Sequence, residues 1–140
     1  MKLTAAVLTV ALTCVPVLAH AADWSPQQWT TEDTLQMRTE CPDEAAHWSY
    51  LWFVVLDGDI WVRLGGKAGA RVDCNKTKPI TSIKIARQEF ENVEMVDTPE
   101  MVERVAAAMG EKYSTDFFVR YMSHPYTMKV APAVAAETVK

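Results

Sequence analysis

At 140 residues with 49% hydrophobic and 23% charged residues, the chain has room for one domain and its own core. A formal net charge of −4 argues against nucleic acid or an anionic membrane as the main partner. With only His20, His47 and His124 in the chain, a multi-histidine metal site is excluded, and no metal is expected.

Residues 1–21 read as a cleaved signal peptide. Lys2 precedes the apolar runs Leu3–Val10 and Ala11–Val17, and Ala19-His20-Ala21 offers a small-x-small cleavage site. Leu12-Thr13-Cys14 fits a lipobox poorly. Cleavage after Ala21 removes Lys2 and no acid, leaving 13 basic and 18 acidic residues, a balance of −5. The leader has no twin-arginine pair, so a periplasmic or secreted chain would be threaded unfolded and would acquire any cofactor afterwards. Cys41 and Cys74 then remain in an oxidising compartment, where a disulfide is the default. The sequence cannot place their Cα atoms within bridging distance, but such a link would add roughly 3–4 kcal/mol. Neither lies in a C-x-x-C motif, which argues against a thiol-redox catalyst.

Residues 22–44 are expected to be an N-terminal helical segment. Ser25-Pro26 and Thr30 or Thr31 followed by Glu32-Asp33 are start signals, and Trp29, Leu35 and Met37 supply apolar surface. Cys41-Pro42-Asp43 ends it.

Residues 45–131 are assigned to a β-rich domain. Its centre is Tyr50–Leu64, two runs rich in β-branched and aromatic residues flanking Asp57-Gly58, which predicts a hairpin with a type I′ turn. The first run is apolar at almost every position, so both faces should be covered. Arg63 breaks the apolar character of the second. Gly65-Gly66-Lys67-Ala68-Gly69-Ala70-Arg71 follows, read as a Gly-rich loop able to offer N–H groups and cations to an anion, or equally as a solvated connection. It has neither P-loop nor dinucleotide spacing.

Thr81–Arg87 alternates, with Ile83 and Ile85 on one face, and Phe90, Val93, Met95 and Val96 form an antiparallel neighbour, with Gln88-Glu89 near the turn. Thr98-Pro99-Glu100 opens a helix whose stripe is Met101, Val102, Val105, Ala106 and Met109. Ser114-Thr115-Asp116 offers a cap for Phe117–Met122, where helix and strand are nearly balanced and a short helix is preferred; His124-Pro125 breaks it, and Tyr126–Ala131 is a last strand. Residues 132–140 read as a flexible tail. No internal repeat is present. Trp48, Trp52 and Trp61 read as core or dimer interface before a stacking platform, and Tyr113 and Tyr121 as packed rings. No catalytic set can be argued without geometry.

The order of these elements resembles the split β-barrel of the pyridoxamine-phosphate-oxidase-like flavin-binding proteins, and most of all a small, little-characterised exported family among them. The residues that carry the likeness are Trp52-Phe53-Val54-Val55, Asp57-Gly58, Trp61-Val62-Arg63, Asp97-Thr98-Pro99 and Glu111-Lys112-Tyr113. It spans roughly Trp29–Pro132. The resemblance implies an α+β fold, a small antiparallel split barrel of about five to six strands with flanking helices. It further implies a homodimer with FMN or a related flavin at the subunit interface, its phosphate held by Arg63, Lys67 and Arg71. The resemblance implies an exported flavin-dependent oxidoreductase or flavin carrier; the export signal, the missing catalytic set and the aromatic-rich hairpin suit instead a non-catalytic periplasmic ligand-binding or assembly module, dimeric through the barrel and stapled by Cys41–Cys74.

Overall fold

The computed structural model describes residues 23–114 and 123–134. The expected signal peptide, the expected short helix over 117–122 and residues 135–140 of the expected tail lie outside the described residues.

Six strands close into one antiparallel barrel: β1 (Thr34–Thr39), β2 (His47–Leu56), β3 (Asp59–Leu64), β4 (Ile80–Ile85), β5 (Gln88–Asp97) and β6 (Tyr126–Pro132), in spatial order β1-β2-β3-β6-β5-β4 with β4 returning to β1. Closure gives every strand two neighbours. Among the described residues two α-helices flank it, α1 (Gly66–Cys74) and α2 (Val102–Tyr113).

The hairpin forms as its composition dictates. Asp57 and Gly58 have φ of 54° and 82°, the pair of positive angles that a type I′ turn needs. It supplies β2 and β3, because a strand precedes it. Among the described residues of 22–44, expected to be helical, the helical content is a 3-10 turn at Pro26–Trp29, and Ser25 makes no side-chain cap bond. Leu35 and Met37 are two residues apart and both buried, so Thr34–Thr39 has the period of a strand. Glu32 and Asp33 therefore precede a strand, and barrel closure overrides the local start signal.

The core fills the barrel with alternate residues of each strand: Phe53 and Leu51 of β2, Ile60, Val62 and Leu64 of β3, Ile83 and Ile85 of β4, Val93 and Met95 of β5. Full burial of one such side chain stabilises by about 1.5–3 kcal/mol. Trp24, Trp29 and Phe90 close one end edge to face, with centroids 5.2–5.5 Å apart. That end lies beside the β2–β3 turn, where Gln27 approaches Gly58. At the other end Ala68 and Val72 of α1 pack on the same core. The β4–β5 turn is Ala86-Arg87, with φ of 47° and 68°, two residues earlier than the expected Gln88-Glu89.

A 3-10 turn at Pro99–Met101 leads into α2, and Thr98 stands at its start without a side-chain cap bond. Its hydroxyl donates instead to Val96 O. Val105 and Met109 of α2 bury against Val54 and Trp61 on the outer face of β2 and β3. The first hairpin strand is thus covered on both faces only over this stretch. Farther back, Trp52 and Tyr50 point outward, 45% and 72% exposed.

Candidate functional site

The Gly-rich segment is a helix. Gly65 stands before it in extended conformation, the first bond runs from Gly69 N–H to Gly65 O, and the helix ends at Cys74. Its glycines concealed this in the sequence, since each costs about 1 kcal/mol in a helix interior. The helical form decides the geometry of two expected site residues. Lys67 and Arg71 stand four residues apart and share a face.

That face forms one wall of a cleft of about 660 Å³, the other wall being His47, Trp48, Ser49 and Tyr50 at the start of β2. Leu51 and Phe53 point into the barrel, so Trp48, Tyr50 and Trp52 form an outward stripe along β2. Lys84 of β4 lies 3.8 Å over the Trp48 ring. The cleft therefore joins two helix-borne cations to flat aromatic surface.

Lys67 is exposed, and open space surrounds the position a side chain would take at Gly65 and Gly66. Arg71 is more constrained. Its Nε donates to Thr39 Oγ1 at 2.9 Å and its Nη1 to Glu44 Oε2 at 3.1 Å, while Nη2 is buried without a partner. Lys67 and Arg71 are the side chains of the cleft that could hold an anionic group.

Arg63, the third expected cation, does not line this cleft. Val62 points into the barrel, so Arg63 points outward, at the level of Trp52 and toward Glu103 of α2. Burial draws its guanidinium below the ordinary range and Glu103 partly restores it. The structure thus brings Lys67 and Arg71 together and sets Arg63 apart, at the far end of the aromatic stripe.

A disulfide joins Cys41, just past β1, to Cys74 at the end of α1, with Cα atoms 5.1 Å apart. Beside it, the buried Asn75 accepts a bond from Glu40 N–H at 2.9 Å and donates to Ile80 O at 3.2 Å. Tyr126 OH donates to Asp73 Oδ1 at 2.6 Å, and this bond is the main reason its phenol is pushed up. Gly69 is tucked so closely that a Cβ would fall 2.9 Å from Pro125 Cγ.

At the opposite end of the stripe, α2 finishes on Lys112-Tyr113. Thr34 of β1 pairs with Trp52, so Phe53 lies beyond the end of β1. Tyr113 OH accepts from Phe53 N–H at 3.0 Å and directs its proton to Phe53 O at 2.7 Å or Asp33 O at 2.8 Å. Lys112 Nζ donates to Phe53 O at 3.0 Å and to Glu32 O. Burial is the main cause that lowers the Lys112 pKa and raises that of Tyr113.

Sequence reasoning missed Glu44, His47 and Tyr50. Their only available signal was chain proximity to Cys41 and Trp48, and that becomes meaningful once the disulfide and strand direction are known.

No family model matches the chain, and no curated protein matches it. Solved structures do. The conserved hypothetical protein Rv2991 from Mycobacterium tuberculosis is 21% identical over 77% of this chain and 78% of its own, with a TM-score of 0.54. The F420-H2 dependent reductase FDR-A is 12% identical over 71% and 94%, with a TM-score of 0.53. HutZ, a heme storage protein from Vibrio cholerae, is 19% identical over 78% and 88%, with a TM-score of 0.55. At these identities the likeness speaks for the fold alone. Together with the closed six-strand arrangement, it shows the fold: a small antiparallel α+β split barrel with flanking helices.

Proposed function

We propose that the chain is exported and binds FMN or a related flavin through its phosphate at Lys67 and Arg71, serving redox chemistry. The observation that carries this reading is the cleft itself, where two cations of one helix face the aromatic start of β2. Lys67 would supply a mobile ammonium, Arg71 its guanidinium charge, and Trp48 or Tyr50 a surface for a ring system. A bound flavin would supply the electron-accepting ring, while the chain's residues bind and orient it. The names of two neighbours, an F420-H2 dependent reductase and a heme storage protein, support a cofactor with an extended ring system.

The proposal includes a homodimer through the outward stripe of Trp48, Tyr50 and Trp52. Tyr50 and Trp52 are exposed and Trp48 is half-buried, and rings of this size in one row form an apolar surface suited to a second copy. Arg63, apart from the cleft in one copy, would then reach the ligand from the second.

Titration of FMN into the purified mature chain tests this. Saturable binding is expected, with Lys67→Ala weakening it about tenfold, the loss of one charge-assisted contact. A colourless protein that shows neither flavin binding nor a thermal shift with FMN overturns the reading. Sedimentation velocity tests the dimer, and a monomer at all concentrations removes it.

A second reading is a non-catalytic ligand-binding module without a cofactor. It is favoured by the ion pair that already holds Arg71 against Glu44. Flavin-dependent turnover with a dye acceptor would eliminate it.

A further inference from the structure

We propose that the Cys41–Cys74 disulfide gates the cleft, so that its reduction releases α1 and lowers affinity for the anionic ligand. This inference rests on the flavin-phosphate reading above.

Little within α1 itself holds it in place. It has nine residues, two of them glycine, and Gly69 is its only fully buried residue. A helix that short is marginal in water, and each interior glycine weakens it further. Ala68 and Val72 touch the barrel core only in part. The position of α1 therefore depends on its ties. Its N-terminal end is fixed by chain continuity with β3. Near its C-terminal end, the covalent tie is Cys74 to Cys41. The others on that side are hydrogen bonds and one ion pair to Glu44, whose side chain is 56% exposed and so contributes little.

Both cleft cations are carried by this one helix, and Arg71 stands three residues before Cys74. Arg71 also binds Thr39 and Glu44, which flank Cys41 in the chain. Opening the disulfide separates the two sides that Arg71 bridges. When α1 leaves its docked position, Lys67 and Arg71 lose their register with Trp48 and Tyr50. If the docked state falls to about one molecule in ten, apparent affinity falls about tenfold.

The disulfide is also asymmetric in access. Cys74 is exposed, whereas Cys41 is 4% exposed. A dithiol reductant would attack the Cys74 sulfur, breaking the S–S bond and expelling Cys41 as a thiolate that takes a proton. The second thiol of the reductant then displaces Cys74, which is protonated in turn. Two electrons pass to the protein, and the dithiol becomes a disulfide.

The test measures FMN binding to the oxidised chain, the chain reduced with dithiothreitol, and the Cys41→Ser/Cys74→Ser double variant, with amide hydrogen exchange followed in each. The expected result is tight binding only in the oxidised chain, with a loss of about tenfold or more in the other two. Amides of 66–74 should lose protection while those of β2 and β3 keep theirs, and dithiothreitol should leave the double variant unchanged. Equal affinity in all three forms overturns the gate and leaves the flavin reading standing. Absence of FMN binding to the oxidised chain overturns both. Weaker binding with unchanged exchange at 66–74, or unfolding of the whole barrel on reduction, also overturns the gate.

Discussion

Trp52 lies nearly flat on Tyr113, their ring centroids 4.6 Å apart and their planes inclined by 12°. The stack joins the outer face of β2 to the last residue of α2, and the Tyr113 hydroxyl continues the link to the Phe53 backbone and Asp33 O. One phenol thus ends a helix, covers an indole and satisfies a strand that has outrun its neighbour.

Tyr113→Phe keeps the stack and removes the hydroxyl. Phe53 N–H is then left without this acceptor, at a cost of about 1–2 kcal/mol in urea unfolding. The Tyr113 pKa is raised in the folded state, chiefly by burial. Folding therefore favours the protonated phenol, a contribution fully present below the unfolded value near 10 and lost as pH rises through the folded value. The stability gap between wild type and Tyr113→Phe should shrink above pH 10. A gap that widens there contradicts the assignment.

Lys112 has the opposite sign. Burial lowers its folded pKa, so protonation binds less strongly to the folded than to the unfolded chain. Between the lowered folded value and the ordinary one near 10.4, this group makes stability rise with pH. Comparison of Lys112→Met with wild type across pH 8–11 should show a shallower rise in the variant.

Gly69→Ala sets two effects against each other. Helix propensity favours alanine by about 1 kcal/mol, whereas crowding against packed atoms costs about 1–3 kcal/mol. The new Cβ would lie 2.9 Å from Pro125 Cγ, part of a stiff ring, so crowding should win. A net loss of about 1 kcal/mol in urea unfolding is expected, and a gain in stability would show that Pro125 yields.

The turn at Ala86-Arg87 places two residues with side chains at positive φ. Asn and Gly suit these positions, as Asp57-Gly58 suits the other hairpin. The double substitution Ala86→Asn/Arg87→Gly should stabilise the fold by about 1 kcal/mol. The urea midpoint should rise with an unchanged slope.

Glu44→Gln removes the carboxylate that competes for Arg71. Under the proposed function, FMN or inorganic phosphate should bind about two- to fivefold more tightly, the scale of one partly exposed ion pair. Weaker binding would mean that Glu44 positions Arg71 for the ligand.

The sequence by itself determined the features that short stretches of chain settle: the Asp57-Gly58 hairpin, the alternating strand of Ile83 and Ile85, the Pro99 helix start and the stripe of Val105 and Met109. In each, turn chemistry or periodicity within about ten residues is sufficient. Tertiary structure decided the rest. Thr34–Thr39 carries only two core residues, too few to distinguish period 2 from a helical pattern beside Glu32-Asp33, and pairing with β2 and β4 made it a strand. Gly66–Cys74 is a helix because the disulfide, Asn75, Tyr126 and Arg71 hold it, against its glycines. The candidate site depends on that second outcome. Lys67 and Arg71 face one cleft only because the helix puts them on one side, while Arg63, equally basic and close in sequence, is turned outward by the pleat of β3.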